Sequence, residues 1–180
     1  MNKQALIDQI HQAFADVKLE DGVGLWQGQG MDDYADGKTI LELRRKDEKD
    51  DWRKMSFEDM NRCYSSLSFF DAKGMRFHLP QFMICNLMED ALTDFSCEFD
   101  LMFHLGCGVS GNDYSEEQFS ALDRQQIACV ISFLEFHLQE IVEQSEENRK
   151  LYGVTWKLAH LDSEYLELKD ISGKWQERLK

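Results

Sequence analysis

Apolar positions along the first stretch of the chain fall at helical spacing. Leu6, Ile10, Ala13, Phe14 and Val17 line one face, which predicts an amphipathic helix over residues 2 to 18 that ends at the Asp21-Gly22 break. The segment GVGLWQGQG from Gly22 to Gly30 reads as a flexible connection with Trp26 as its apolar anchor, and residues 31 to 54, dense in both charge signs, read as exposed helix and loop. Ser56 followed by Asp59 has the form of an N-cap with an acid in the first turn, opening a helix through Met60, Cys63 and Tyr64.

The middle of the chain changes period. Leu67 and Phe69, then Met75, Phe77 and Leu79, alternate with more polar residues around Asp71-Ala72-Lys73-Gly74, a pattern that favours a short β-hairpin over residues 66 to 79. Pro80 suits the first position of a new helix, whose buried face is Phe82, Met83, Cys85, Leu87, Met88 and Leu92. Phe99, Leu101, Phe103 and Leu105 repeat every second residue and predict a third short strand. Beyond the Gly106 to Gly111 break, Ser115 is read as a cap. Residues 123 to 148 form the clearest helix, striped by Ile127, Val130, Ile131, Leu134, Leu138, Ile141 and Val142. Leu158, Leu161, Tyr165, Leu168 and Trp175 predict one or two helices in the tail. The expected fold is therefore mainly α with a small β-hairpin or three-strand element, a single domain over 1–180 whose residues 149–180 form a helical extension packed on it.

Charge alters what such a fold is expected to do. The 180 residues carry 34 acids and 20 bases, a net charge of -14, and the excess is unevenly placed. Residues 1 to 76 hold 15 acids and 12 bases, residues 77 to 148 hold 14 acids and only Arg124, and residues 149 to 180 hold 5 acids and 7 bases. Nucleic-acid affinity depends on Lys and Arg displacing phosphate counterions, so direct nucleic-acid binding is not expected. The N-terminus lacks the form of a signal peptide, and the strongest apolar run, Ile127 to Leu134, is far shorter than the roughly 20 residues of a membrane-spanning helix. Cys63, Cys85, Cys97, Cys107 and Cys129 are odd in number and contain no CxxC pair, as suits free thiols in a cytoplasmic protein.

Candidate chemistry is weak by comparison. The glycines of residues 22 to 30 follow a helix rather than a strand, so they lack the strand-to-helix context of a phosphate loop. Asp32-Asp33-Tyr34-Ala35-Asp36-Gly37 starts like a calcium loop, but Tyr34 and Leu43 occupy positions that require oxygen donors, which leaves helix capping or a surface turn. Cys97, His104 and Cys107 supply zinc-type donors without an evident fourth ligand, and His137 reads as a packing histidine on the long helix. Glu89-Asp90 and Glu116-Glu117 are adjacent acids whose side chains diverge by about 100° on a helix, so they are not preformed dyads. No catalytic, metal or cofactor site is predicted. A small hydrolase or transferase using His104, Cys107 or clustered carboxylates is the alternative from another functional class, and a regulatory or scaffold module is a third.

The segments LSFFDAKGMRFHLPQFMICNLMEDAL and LDRQQIACVISFLEF resemble an uncharacterised bacterial family of small soluble proteins, a domain of unknown function. The resemblance rests on Phe70, Asp71, Gly74, Arg76, Phe77, Leu79 and Pro80, then on Leu122, Gln126, Ile131, Phe133 and Leu134, and spans most of residues 5 to 142. It implies a bacterial cytoplasmic domain and carries no activity with it. Read physically, the first motif is structural: Gly74 permits a turn, Arg76 satisfies Asp71, and Pro80 starts a helix.

Acidity, size and thiols together point to a non-catalytic binding protein. The most concrete form is a bacterial immunity protein or antitoxin that neutralises a basic toxin domain. Its expected contact set is Asp94, Glu98, Asp100, Asp113, Glu116, Glu117, Glu135, Glu140 and Glu143.

Overall fold

The computed structural model describes residues 2–89, 96–152 and 163–180, and among them every regular element is helical. The order is α1 (Lys3–Ala13), α2 (Leu25–Asp32), α3 (Gly37–Lys46), α4 (Phe57–Arg62), α5 (Ala72–Leu87), α6 (Leu101–Cys107), α7 (Asp113–Gln118), α8 (Arg124–Tyr152) and α9 (Ser163–Glu177), with 3₁₀ turns at Trp52–Lys54 and Tyr64–Ser68. The chain divides into two compact units, residues 10–122 and residues 1–9 with 123–180. Tail positions Leu158 and Leu161 lie outside the described residues, as do Asp90, Leu92 and Asp94.

In the unit of residues 10–122, the expected β element is absent among the described residues. Leu67 and Phe69 belong to or end a 3₁₀ turn, and Met75, Phe77 and Leu79 lie in the first half of α5. The reason is burial. Every residue from Phe77 to Cys85 is buried, including His78, Pro80 and Gln81. A helix enclosed on all sides has no solvated stripe, so its hydrophobic pattern loses the 3.6-residue period and a chance alternation can imitate a strand. Pro80 is inside the helix rather than at its start. It has no N–H to donate toward the Arg76 carbonyl one turn earlier.

The true start of α5 is Asp71, whose Oδ1 accepts from Gly74 N–H at 2.8 Å and from Val23 N–H at 2.9 Å. Gly74 is needed for close approach rather than for a turn: a Cβ there would sit 2.4 Å from the Val23 carbonyl oxygen. Arg76 does not satisfy Asp71; its guanidinium lies 3.7 Å from Glu20.

The expected third strand is α6. Leu101 and Leu105, one helical turn apart, are buried, while Phe103 between them is 61% exposed. Period-two pairing would have required all three on one face. Asp100 caps this helix, accepting from Phe103 N–H at 2.8 Å. The next cap is Asn112, which accepts from Tyr114 N–H and Ser115 N–H, and not Ser115 as its residue type suggests.

The Gly22 to Gly30 segment is also helical over its second half. Gly28 lies where a Cβ would come within 3.0 Å of the Ser66 Cβ, and one on Gly30 would come within 2.3 Å of Leu43 Cδ1. The glycines therefore allow α2 to press against the Tyr64–Ser68 turn and α3, and the intrinsic helix penalty of glycine, about 1 kcal/mol each, is outweighed by that packing. Ser66 Oγ donates to the Leu25 carbonyl at 2.7 Å across the same contact. Trp52 is fully buried, and its indole N–H donates to the Phe14 carbonyl at 2.8 Å. Ser56 caps α4 as expected, accepting from Asp59 N–H at 3.1 Å, and Asp36 caps α3 through Thr39 N–H at 2.8 Å.

The other unit is organised by α8. Asp123 and Gln126 form a reciprocal capping box, with Gln126 N–H to Asp123 at 2.9 Å and Asp123 N–H to Gln126 at 3.1 Å. Its stripe buries Val130, Ile131, Phe133 and Leu134. α9 packs on α8 through Leu168, Ile171 and Trp175, all buried, and Gln176 donates to Glu135 at 3.0 Å. Arg124 closes the C-terminal end by donating to the Leu179 carbonyl at 2.6 Å.

Candidate functional site

Of the nine carboxylates expected to meet a partner, Asp94 lies outside the described residues. Glu98, Asp100, Asp113, Glu116 and Glu117 belong to the unit of residues 10–122, and Glu135, Glu140 and Glu143 to the other. Glu98, Asp100, Asp113 and Glu117 are exposed, and Glu116 is half-buried. Several of the eight are engaged by local hydrogen-bond donors: Glu116 accepts from Gly111 N–H at 2.8 Å, Glu117 from the Ser120 hydroxyl at 3.3 Å, and Glu143 from the Gln139 amide at 2.7 Å. Asp100 is occupied as the α6 cap. Among the described residues, no Lys or Arg forms an ion pair with any of the eight.

Glu140 has a different neighbour. Its carboxylate lies 3.1 Å from His137 Nδ1. Burial pushes the His137 pKa down to about 4, so the ring is neutral at pH 7 and the contact is not an ion pair. Burial also raises the Glu140 pKa. The imidazole meets Phe133 edge-on at a centroid distance of 4.7 Å, and its Nε2 has no hydrogen-bond partner. This is the surrounding of a packing histidine.

His104 and Cys107 lie three residues apart on α6, but no hydrogen bond joins the imidazole to the thiol among the described residues. Burial lowers the His104 pKa. Among the described residues no three His, Cys, Asp or Glu side chains converge as a metal-binding group, and no helix is long and apolar enough to cross a membrane.

One titratable site was not legible in the sequence. The residues after α3 and around the Trp52–Lys54 turn enclose a cavity of about 320 Å³ lined by Leu25, Trp26, Lys46, Asp47, Lys49, Lys54 and Asp59, among others. The Asp47 side chain is fully buried, with Oδ1 accepting from Trp26 N–H at 2.7 Å. It thus caps α2 from a distant part of the chain. Gly24 makes room for it, since a Cβ at that position would fall 1.9 Å from Asp47 Oδ2. Burial pushes the Asp47 pKa up to about 6, against the opposing pull of the Trp26 N–H and the Arg44 charge. The Arg44 guanidinium is 3.8 Å away, too far for a hydrogen bond, and both Arg44 Nη1 and Asp47 Oδ2 are buried without one.

Lys46 lies over the Trp26 ring at 5.2 Å. Glu48 is already committed, one of its oxygens accepting from the N–H groups of Lys49, Asp50 and Asp51. The cavity thus has a mixed-charge rim around a buried capping carboxylate, and neither a nucleophile nor a metal-donor group is assembled at Asp47. Sequence offered one signal for it, Gly24 placed just before a helix that has no capping side chain of its own.

No curated protein and no solved structure matches the chain. A family model described as a family of unknown function (DUF6714) matches residues 2–161, and the chain belongs to that family.

Proposed function

We propose that the protein is a non-catalytic acidic binding protein of the bacterial cytoplasm, an immunity protein or antitoxin that neutralises a basic toxin domain by direct contact. The observation that carries this reading is the unpaired acidity of the central chain. Residues 77 to 148 hold 14 acids and one base, and Glu98, Asp100, Asp113, Glu116 and Glu117 have no Lys or Arg partner among the described residues. Uncompensated surface charge of one sign raises association rates with an oppositely charged partner by about 10 to 1000-fold and excludes like-charged ones. Five free cysteines suit a reducing compartment.

The test starts with capture of partners from the native cell at low and moderate salt, followed by co-expression to see whether the protein rescues growth from the partner's toxicity. Association is then timed for the wild type and for Glu98→Lys/Asp113→Lys/Glu117→Lys. The triple reversal is expected to slow association at least tenfold at low salt. Association that ignores both salt and the reversal would reject this surface, and a partner whose toxicity is not relieved would reject the antitoxin role.

A further inference from the structure

Cys85 and Cys97 stand apart from the other cysteines. Cys85 is buried near the end of α5, Cys97 is half-buried in the segment that precedes α6, and their sulfurs lie 3.7 Å apart. Four further contacts hold the Cys97 segment in that position. Asn61 of α4 donates through Nδ2 to the Ser96 carbonyl at 3.0 Å and accepts through Oδ1 from Glu98 N–H at 3.1 Å, gripping the backbone on both sides of Cys97. Phe99 is buried edge-on against Phe82, with centroids 4.6 Å apart. Cys97 N–H points to Glu89 Oε1 at 3.3 Å.

Phe82 and Cys85 stand at i and i+3 on one face of α5, Glu89 follows just beyond its C-terminal end, and the 97–99 segment meets all three. A disulfide requires the sulfurs to close to about 2.05 Å. The sulfurs start 3.7 Å apart, and Asn61 already holds the backbone on both sides of Cys97.

We infer that Cys85 and Cys97 are a disulfide-forming pair, oxidised by a hydroperoxide and reopened by a dithiol. Cys97, the more exposed, reacts first: its thiolate sulfur attacks the peroxide, an S–O bond forms, the O–O bond breaks, and the departing alkoxide, or hydroxide from hydrogen peroxide, takes up a proton as the alcohol or water. Cys85 then attacks the sulfenic sulfur. The S–S bond forms, the S–O bond breaks, and hydroxide leaves with the Cys85 proton as water. Two thiols lose two electrons and the peroxide gains them. Contact with Cys97, then burial, holds the Cys85 thiol well above the usual thiol range, so closure quickens as pH rises. Reduction runs by thiol–disulfide exchange through a mixed disulfide with the added dithiol.

Sequence makes the test clean. Joint cleavage after Lys, Arg and Glu places Cys63 in peptide 63–73, Cys85 in 77–89, Cys97 in 90–98, Cys107 in 99–116 and Cys129 in 125–135. The full chain is treated with hydrogen peroxide, blocked with a thiol reagent and digested without reduction. Peptides 77–89 and 90–98 are expected to appear joined, with loss of two reactive thiols and their return on dithiothreitol. Cys107→Ser keeps the link, and Cys85→Ser and Cys97→Ser each abolish it. The wild-type map decides the question even where a serine variant fails to fold. A dominant link to Cys63, Cys107 or Cys129, sulfinic acid on Cys97 with Cys85 still free, or five unchanged thiols would each overturn the pairing.

Discussion

Glu20-Asp21 and Glu116-Glu117 are both adjacent acid pairs in the unit of residues 10–122, and they are held by different donors. Lys73 lies 2.8 Å from Glu20 and 2.6 Å from Asp21, and Arg76 lies 3.7 Å from Glu20. That pair ties the chain before α2 to the first turns of α5, about fifty residues away. Glu116 and Glu117 instead accept from Gly111 N–H and the Ser120 hydroxyl, within a few residues of themselves. The difference follows from composition. At Glu20-Asp21, where bases are available, the carboxylates stitch distant elements together; at Glu116-Glu117 they brace their own turn, and no Lys or Arg pairs with them among the described residues. The carboxylates of residues 98 to 122 therefore contribute little to long-range folding: their hydrogen bonds among the described residues are local.

The sharpest way to break this comparison is at Asp47, an acid of the base-rich residues 1 to 76 whose nearest cation, Arg44 at 3.8 Å, is too distant to hydrogen-bond. Its folded pKa of about 6 lies above the ordinary 3.8, so its stabilising contribution is complete below pH 3.8 and is lost as pH rises through 6. His78 has the opposite sign. Burial lowers its pKa from 6.5 to about 4, so its contribution is complete above pH 6.5 and is lost as pH falls through 4. Each swing is worth about 3 kcal/mol, and between pH 6 and 4 the two offset one another. Asp47→Asn is expected to stabilise the protein by about 3 kcal/mol at pH 7.5, an advantage that disappears near pH 4. Urea unfolding across that range checks it, and a pH-independent difference between the two proteins would contradict the buried charged state.

Asp71 comes next, because its single oxygen serves both a helix cap and a long-range link to Val23. Asp71→Ala is expected to cost about 2 kcal/mol in chemical denaturation, one part from the cap and one from the link. Asp100→Ala removes a cap alone and is expected to cost about 1 kcal/mol. Equal losses at the two positions would erase the distinction between acids that stitch and acids that only cap. Smallest of all, Glu117→Lys is expected to change stability by less than about 0.5 kcal/mol while adding positive charge to the acidic region. A large loss of melting temperature in that variant would show that Glu117 supports the fold more than its hydroxyl contact indicates.

Legibility in the sequence followed solvent contact. α1 and α8 each keep one wet face, and their apolar stripes were readable from spacing. α5 has almost no wet face, and its period vanished with it. α6 was misread because Phe103 was assumed to point inward, whereas only Leu101 and Leu105 do. Ser56 and Asp36 were legible as helix-start or turn residues because capping is local chemistry. Asp47 was not, because it caps α2 from 21 residues beyond the Trp26 N–H it holds. The acidic residues were visible as composition, but their division between two compact units was not.

By itself the chain determined its helical termini, its long α8 and the uneven placement of its charge, all properties of near neighbours or of plain count. Tertiary structure decided that residues 66 to 79 form the end of a 3₁₀ turn, the Asp71 cap and the first half of α5 rather than a hairpin, that the glycines of α2 are contact points, and that Cys97 meets Cys85. Those outcomes depend on what encloses a segment from outside it, and that information is carried by residues tens of positions away.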